Sequence, residues 1–200
     1  IAELKKKTKK SGNKYLVVRH GEAENNVKNI YSNNPDKYHL TEKGKDEVLK
    51  TAQNLKDAKV SLIFASPFLR TKETAEILAE KIGFPKEKII YDDRLREYDF
   101  GEFSEKSKEE CWEYIKSSDW KFDSKLPKGE SFQDCKNRLG EFLYEIDQKY
   151  KGENILLVSH GFAIEIVPAV IEGANKERSL GIFNEKIDNK TAELEHEHEF

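Results

Sequence analysis

The sequence predicts an α/β fold, a three-layer sandwich in which a mainly parallel central sheet carries helices on both faces and a small helical lid insertion. Apolar runs without alternation occupy 15–18, 60–65 and 155–158, as in strands that are buried on both faces. Segments with apolar residues at helical spacing separate these runs, and such helices are the usual crossover connections between parallel strands. At 200 residues the chain has the length of one domain.

The first half of the chain begins with a lysine-rich segment. Residues 1–13 carry five lysines and lack apolar periodicity, so we expect a mobile tail ahead of a single domain over 14–200. Apolar stripes and turn residues predict the elements that follow. In order these are a strand over 15–18, a helix from Thr41, a strand over 60–65, a helix that begins at Ser66-Pro67 and ends before Gly83, and a strand over 88–91.

The second half contains the least regular part of the sequence. Residues 98–128 hold one predicted helix, around 109–116, and two tryptophans, and we interpret this segment as the lid insertion. Beyond it, Ser131 is a suitable N-cap for a long amphipathic helix, with Asp134 three residues on. The remaining elements predicted are a strand over 155–158, a helix over 162–171 that Pro168 should kink or shorten, and a hairpin beyond Gly181 that turns at Asp188-Asn189.

Composition argues against two broad classes of partner. With 35 Lys and Arg against 38 Asp and Glu, the net charge of −3 provides no global positive field for nucleic acid. The longest stretch without a charged residue covers only 154–164, too short to cross a membrane. Cys111 and Cys135 occupy apolar positions of helical patterns, so we expect buried reduced thiols. Reduced thiols and the lack of a signal pattern at the start favour a cytoplasmic location.

The residues that can carry chemistry lie where predicted strands end. Arg19-His20-Gly21 and Ser159-His160-Gly161 each close an apolar run. If the two strands are parallel neighbours, both imidazoles meet at one edge of the sheet, beyond the carboxyl ends of the strands, where such folds bind ligands. Glycine after each histidine lets the backbone approach a ligand closely, and the helix that follows offers free amide donors to an anion.

A third strand end adds a second guanidinium. Arg70 follows the run that ends at Ala65-Ser66-Pro67 and can join Arg19 there. A lone histidine or arginine is more often structural than catalytic, but two of each with exposed amides match a dianionic phosphoryl group. By contrast, His196 and His198 alternate on the last predicted strand without partners at zinc spacing, so we interpret them as a solvated face and predict no metal site.

Six motifs resemble those of the histidine phosphatase superfamily, also called the phosphoglycerate mutase-like family. They occur along this chain in the same order as in the family. The resemblance spans about residues 14–173. Its motifs are Arg19-His20-Gly21-Glu22 with Asn26 six positions after His20, Leu40-Thr41-Glu42-Lys43-Gly44, Ser66-Pro67-Phe68-Leu69-Arg70-Thr71, the run from Leu95 to Glu102, Gly129-Glu130-Ser131 and Ser159-His160-Gly161.

The resemblance implies phosphoryl transfer through a phosphohistidine. His20 would attack phosphorus in line, Arg19, Arg70 and His160 would hold the equatorial oxygens, and Glu97 would protonate the leaving alcohol. His20 must then be neutral, and Glu97 must hold a proton near neutral pH. No metal or other cofactor is implied, because guanidinium, imidazole and amide groups can neutralise the phosphoryl charge. The implied substrate is a small-molecule phosphate monoester and the product inorganic phosphate, whereas the oligomeric state stays open.

Further phosphate contacts are implied for Asn26 and for the backbone amides of Gly161 and Phe162. The run from Glu97 to Phe103 resembles the phosphatase branch, so a phosphomonoester hydrolase is the leading hypothesis. A cofactor-dependent phosphoglycerate mutase and a non-catalytic phosphate-binding or scaffold module of the same fold are the alternatives. Four departures from the family pattern bear on the substrate. They are Ala23 where a hydroxyl residue is common, Glu105 where glycine is common, and Phe162 and Glu165 where small and basic residues are frequent.

Overall fold

The computed structural model describes residues 11–171 and 198–199, whose strands form one five-stranded sheet. The strands are β1 (Lys14–Arg19), β2 (Leu62–Ala65), β3 (Ile90–Tyr91), β4 (Asn154–Ser159) and β5 (His198–Glu199). Their order across the sheet is β3-β2-β4-β1-β5, with β1 to β4 parallel and β5 antiparallel to β1. The mainly parallel sheet predicted from the unalternating apolar runs is therefore confirmed.

Capping residues set where two of the helices begin. The helices are α1 (Glu24–Val27), α2 (Glu42–Asn54), α3 (Leu69–Ile82), α4 (Lys108–Lys116), α5 (Phe132–Lys149) and α6 (Gly161–Ile171). Thr41 Oγ1 accepts a hydrogen bond from Gly44 N (3.0 Å) at the start of α2. At α5, Ser131 Oγ accepts from Asp134 N (3.1 Å) and Asp134 Oδ2 accepts from Ser131 N (3.0 Å). This reciprocal pair is a capping box and confirms the N-cap predicted at Ser131.

The two faces of the sheet carry separate layers of helix. Val17, Phe64 and Leu157 point to one face and pack into a buried cluster with α5 and α6. Val18 and Ile63 point to the other face and pack with α2 and α3. The predicted three-layer sandwich is confirmed, and burial of both faces explains why the apolar runs lack alternation.

Several predicted elements begin too early. The helix predicted from Ser66-Pro67 begins at Leu69, because Phe68 keeps an extended backbone (φ −70°, ψ 144°). The short loop before it brings the Ser66 hydroxyl to His160. Likewise, β2 begins at Leu62 rather than at residue 60, and β3 is confined to Ile90–Tyr91 because Lys86–Lys88 form a 3₁₀ turn.

The last residues before β1 belong to the folded domain, so the tail predicted over 1–13 is too long. Asn13 Nδ2 donates to Tyr150 O (2.9 Å), and Gly152 N donates to Ser11 O (2.9 Å). Residues 1–10 lie outside the described residues, as does the hairpin predicted beyond Gly181, apart from β5. Within the described ranges no helix combines the length and apolarity that spanning a membrane requires.

The segment interpreted as a lid packs onto the domain core. Phe100, Phe103, Cys111 and Leu126 are buried in the cluster that contains the α5 and α6 side chains. Its regular elements are α4, which begins one residue before the predicted helix, and a 3₁₀ turn over Gly101–Phe103. Cys111 and Cys135 are both buried and free, as predicted. The segment therefore shares its core with the main domain.

Candidate active site

The register of β1 against β4 brings the two His-Gly turns together. Arg19 pairs with Ser159 in the parallel ladder, and His20 N donates to Ser159 O (3.1 Å). His20 and His160 therefore leave adjacent strands at the same level, with ring centroids 5.2 Å apart. Both residues are buried. The expected meeting of the two imidazoles at one sheet edge is confirmed.

The surroundings of His20 determine which of its ring nitrogens carries the proton. Burial, together with the charges of Arg70 and Arg19, lowers the pKa of His20 well below its usual value, so the ring is neutral. Nδ1 lies 2.8 Å from Gly21 O, and because a carbonyl oxygen only accepts, Nδ1 carries the proton. Nε2 is then left with its lone pair, the state that a nucleophile requires.

Arg70 lies directly against that lone pair. The residue is 2% exposed, and its Nε donates to His20 Nε2 (3.2 Å) while a terminal nitrogen donates to Ser32 O (3.3 Å). Burial lowers the pKa of Arg70 to about 10, so the guanidinium remains charged at neutral pH. A buried cation beside a neutral imidazole favours binding of an anion at this position.

Arg19 reaches the site from the end of β1. A Cβ atom built on Gly161 would lie 3.6 Å from Arg19 Nε, so this guanidinium lies against the first turn of α6. After burial and Arg70, its charge also contributes to the lowered pKa of His20. Arg19 is therefore within electrostatic reach of both the histidine and the N-terminus of a helix, where anions are stabilised.

His160 presents one unpartnered nitrogen. Its Nε2 lies 2.8 Å from Ser66 Oγ, whereas Nδ1 is buried without a hydrogen-bond partner. Burial, Arg70 and His20 lower the pKa of His160 well below its usual value, so this ring is neutral as well. When Ser66 donates to Nε2, Nδ1 carries the proton and can donate to a bound anion. Because buried polar atoms nearly always have partners, Nδ1 indicates a ligand position.

Glu97 supplies a carboxyl group suited to holding a proton. The residue is 9% exposed, and burial raises its pKa above the ordinary value despite the nearby charges of Arg70 and Arg19. Tyr98 N donates to Oε1 (2.9 Å) and orients the group. The site therefore combines a neutral imidazole that can attack with a carboxyl group whose pKa is raised by burial, which is a pairing found at acid–base sites.

A buried ion pair holds the loop that carries Glu97. Arg138 in α5 donates to Glu130 Oε1 at 2.6 Å, and each side chain is 9% exposed. The guanidinium also donates to Arg94 O (2.6 Å) and to Arg96 O (3.0 Å). These contacts fix the backbone immediately before Glu97.

The three remaining predicted contact residues lie in different surroundings. Gly161 is the first residue of α6 and stands beside Arg19. Asn26 Oδ1 accepts a hydrogen bond from Ala23 N (2.9 Å) and so serves the start of α1. The Phe162 ring packs edge-on against Phe100, with ring centroids 5.4 Å apart. Their contacts to phosphate stay a prediction.

Sequence reasoning missed several polar groups at the site. Thr74 Oγ1 accepts a hydrogen bond from Gly21 N (3.3 Å) and donates to Arg70 O (2.7 Å). Thr74 stands four residues after Arg70 on α3, a helical spacing that points to it, whereas Ser66 lies in the loop before this helix and no such spacing points to it. Lys108 of α4 lies with Nζ 5.8 Å from the centroid of the Tyr31 ring, and burial and Arg19 lower its pKa. No local signal in the sequence connects Lys108 with the strand ends.

The chemistry of these groups suits an anion. The site gathers two guanidiniums, two neutral imidazoles and one carboxyl group whose pKa is raised by burial. Across the portion of the chain that the structure describes, no group of three or more His, Cys, Asp or Glu side chains is arranged to hold a metal ion.

Comparisons with known proteins agree with this chemistry. Residues 15–192 match the family model described as Histidine phosphatase superfamily (branch 1). A 2,3-bisphosphoglycerate-dependent phosphoglycerate mutase of Bartonella bacilliformis is 30% identical over 173 residues, or 81% of this chain and 82% of the relative. The Escherichia coli protein named probable phosphoglycerate mutase GpmB is 32% identical over 177 residues, or 84% and 80%. Among solved structures, a mycobacterial glucosyl-3-phosphoglycerate phosphatase in complex with VO3 has the same fold, with a TM-score of 0.72, 23% identity and 84% coverage of both chains.

Proposed function

Because the chain belongs to the histidine phosphatase superfamily, branch 1, we propose that it is a metal-independent phosphomonoester hydrolase with His20 as nucleophile and Glu97 as general acid. One observation carries the proposal. The neutral His20 ring is tied through Nδ1 to Gly21 O, and its Nε2 faces the guanidinium of Arg70. A lone pair beside a buried cation is the arrangement that an attack on a bound phosphoryl group needs.

In the first step, His20 Nε2 forms a bond to phosphorus while the bond from phosphorus to the ester oxygen breaks. Glu97 donates its carboxyl proton to the departing oxygen, and the product is a neutral alcohol. The imidazole now bears the phosphoryl group on Nε2, and Nδ1 keeps its proton and its hydrogen bond to Gly21 O. A phosphoryl oxygen would displace the ring as the partner of Arg70 Nε.

In the second step, the Glu97 carboxylate takes a proton from a water molecule as the water oxygen attacks phosphorus. The bond from phosphorus to Nε2 breaks, its electron pair returns to the ring, and inorganic phosphate leaves. Glu97 is protonated again and His20 is neutral, so the cycle closes. Arg19, Arg70 and the His160 Nδ1 proton would hold the equatorial oxygens in both steps, each donor contributing about 2.7 to 4 kcal/mol to the transition state.

The substrate class follows from the same groups. Two guanidiniums match the charge of a phosphate monoester dianion. Among the described residues, no three or more His, Cys, Asp or Glu side chains are grouped so as to hold a metal ion. The mycobacterial neighbour, named as a phosphatase and solved in complex with VO3, supports the binding of an oxyanion by a protein of this fold.

Release of inorganic phosphate from p-nitrophenyl phosphate, measured with and without EDTA, tests the proposal. We expect turnover in both conditions, and turnover that EDTA abolishes would contradict metal independence. Rapid alkaline quenching with a ³²P-labelled ester should trap an acid-labile, alkali-stable phosphoprotein that His20→Ala lacks. Undiminished hydrolysis by His20→Ala would remove this residue as the nucleophile, and circular dichroism of the variant shows that it has folded.

The names of the curated relatives favour a second candidate, a bisphosphoglycerate-dependent phosphoglycerate mutase. The same phosphohistidine would then pass its phosphoryl group to a phosphoglycerate instead of water. Interconversion of 2- and 3-phosphoglycerate that requires 2,3-bisphosphoglycerate, at a rate above phosphate release, would favour the mutase. Phosphate release without isomerisation would favour the hydrolase.

A further inference from the structure

Glu105 belongs to the lid segment, contacts the loop that follows α1 and has an unusual backbone conformation. Its φ is 69°, in the left-handed region that non-glycine residues rarely adopt. The side chain nevertheless makes many contacts. Tyr38 OH donates to Oε2 at 2.6 Å, Lys37 Nζ donates to Oε2 at 2.5 Å, and Ser32 Oγ donates to Oε1 at short range.

These contacts keep the carboxylate ionised. Burial of Glu105 favours the neutral acid, but the hydrogen bonds from Lys37, Ser32 and Tyr38 outweigh it and hold the pKa of Glu105 below its ordinary value. Three donors on one loop therefore converge on a single negative charge. A strained conformation that persists with such a set of partners indicates that the side chain has a role there.

The contact between Ser32 and Arg70 suggests what this role is. The Ser32 carbonyl oxygen accepts from a terminal nitrogen of Arg70 (3.3 Å), and Arg70 Nε donates to His20 Nε2 (3.2 Å). Ser32 is 2% exposed, so its hydroxyl and carbonyl contacts leave it little freedom. A continuous chain of hydrogen bonds thus leads from Glu105 through Ser32 and Arg70 to His20.

The backbone around Glu105 reinforces this chain. Glu105 N donates to Tyr31 O (2.7 Å), Tyr31 N donates to Lys106 O (3.2 Å), and Asn33 N donates to Ser104 Oγ (2.9 Å). The residues on both sides of Ser32 are therefore bound to the lid segment. Small movements of this segment would be transmitted to the carbonyl that orients Arg70.

We propose that Glu105 is a positioning residue for the phosphate site, whose carboxylate acts through Ser32 to hold the Arg70 guanidinium in the orientation that faces His20. The inference rests on the proposed function, because it assumes that Arg70 binds the phosphoryl group. The negative charge of Glu105 also favours the charged form of Arg70. A glycine at this position would leave the backbone unstrained but would provide no such anchor.

Two substitutions separate the carboxylate from the backbone conformation. Glu105→Gly removes the carboxylate and also the strain at φ 69°, whereas Glu105→Ala removes the carboxylate and keeps the strain. We expect both variants to bind inorganic phosphate and orthovanadate about 3- to 10-fold more weakly than the wild type by isothermal titration calorimetry, which is the size of one lost hydrogen-bond link. KM for p-nitrophenyl phosphate should rise by a similar factor with a smaller change in kcat.

Lys59 provides a matched control for backbone strain. It also has a left-handed backbone (φ 49°), in the loop between α2 and β2. Lys59→Gly therefore relieves similar strain without touching Ser32, and we expect it to retain the wild-type phosphate affinity. Ser32→Ala should weaken phosphate binding as Glu105→Gly does, and the double variant should be no weaker than either single variant.

The possible outcomes discriminate between the explanations. Wild-type phosphate affinity in Glu105→Gly would overturn the positioning role, and a loss confined to Glu105→Ala would then be an effect of backbone strain. A lower melting temperature with unchanged KM in both variants would likewise reduce Glu105 to a structural contact. If the wild-type protein itself neither binds phosphate nor hydrolyses p-nitrophenyl phosphate, the proposed function fails first and this inference fails with it.

Discussion

Arg70 Nε lies 3.2 Å from His20 Nε2, so the guanidinium donates a hydrogen bond to the lone pair that would attack phosphorus. A terminal nitrogen of Arg70 also donates a hydrogen bond to Ser32 O, and Arg70 Cζ lies over the Phe68 ring, 5.0 Å from its centroid. The forked, planar geometry of arginine is what permits these contacts at once.

Arg70→Lys should therefore retain the charge and lose function. An ammonium group cannot donate to both Ser32 O and a phosphoryl oxygen in the same plane, and we expect kcat/KM for p-nitrophenyl phosphate to fall by about 100- to 1000-fold. Lys72→Met is the matched control, because Lys72 lies on the same helix with its Nζ 5.9 Å from the Tyr91 ring centroid. Equal losses in the two variants would show that the loss does not come from the guanidinium geometry of Arg70.

Glu97→Gln should reduce turnover of esters with poor leaving groups more than turnover of esters with good leaving groups. The phenolate released from an aryl phosphate leaves without protonation, whereas the alkoxide of an alkyl phosphate needs a proton that Gln cannot supply. We therefore expect kcat to fall far more for alkyl esters than for aryl esters. In the wild type, kcat should decline on the alkaline side as Glu97 loses its proton at a pKa raised by burial. The same loss for both ester classes would argue against an acid role.

The same substitution should stabilise the protein at neutral pH. Burial raises the pKa of Glu97 in the folded state, so between the unfolded and the folded pKa the native protein binds the extra proton. The free energy of unfolding then falls as pH rises through that window, and an amide removes this dependence. We expect a higher melting temperature for Glu97→Gln at pH 8, with the gain over wild type shrinking toward pH 4. A gain that does not vary with pH would contradict this origin.

Acid should destabilise the wild-type protein through its two buried histidines. In the unfolded chain a histidine takes up a proton near pH 6.5, whereas burial holds the pKa of His20 and His160 well below that value in the folded state. The unfolded state then binds more protons, so the free energy of unfolding falls as pH falls below about 6.5. Urea unfolding at pH 7.5 and pH 5.5 measures the slope, which should be shallower in a His20→Gln, His160→Gln double variant.

Arg138→Met should cost both stability and activity. The substitution removes the nearer cation from buried Glu130 and leaves Arg96, whose terminal nitrogen lies 3.7 Å from Oε2, as its remaining cationic partner. Breaking a buried ion pair costs about 3 to 5 kcal/mol in the free energy of unfolding, and because Arg96 remains we expect a loss toward the lower end of that range. The freed carbonyl groups of Arg94 and Arg96 would also loosen the loop before Glu97. The exposed pair of Lys125 with Asp134, of which Asp134 lies on the same helix as Arg138, is the control, and Lys125→Met should change urea unfolding little. Adding Glu130→Gln to Arg138→Met should restore part of the loss.

Much of the site was predictable because it lies where strands end. The chain order and burial pattern place His20 and His160 after apolar runs, and the parallel pairing of Arg19 with Ser159 then brings them level. Ser66 escaped prediction because the helix was expected to include it. In the structure Phe68 is extended, which delays the helix to Leu69 and leaves the Ser66 hydroxyl in the loop beside His160.

The sequence by itself determined the layered α/β class, the unalternating strands and the two His-Gly turns, because these depend on local periodicity and on short runs of residues. Only the tertiary structure decided which distant side chains contact these elements. The contacts of Arg138 with Arg94, of Glu105 with Ser32 and of Lys108 with Tyr31 join residues more than 40 positions apart. Burial, which lowers the pKa of His20 and raises that of Glu97, likewise depends on the whole packed domain and on no local pattern.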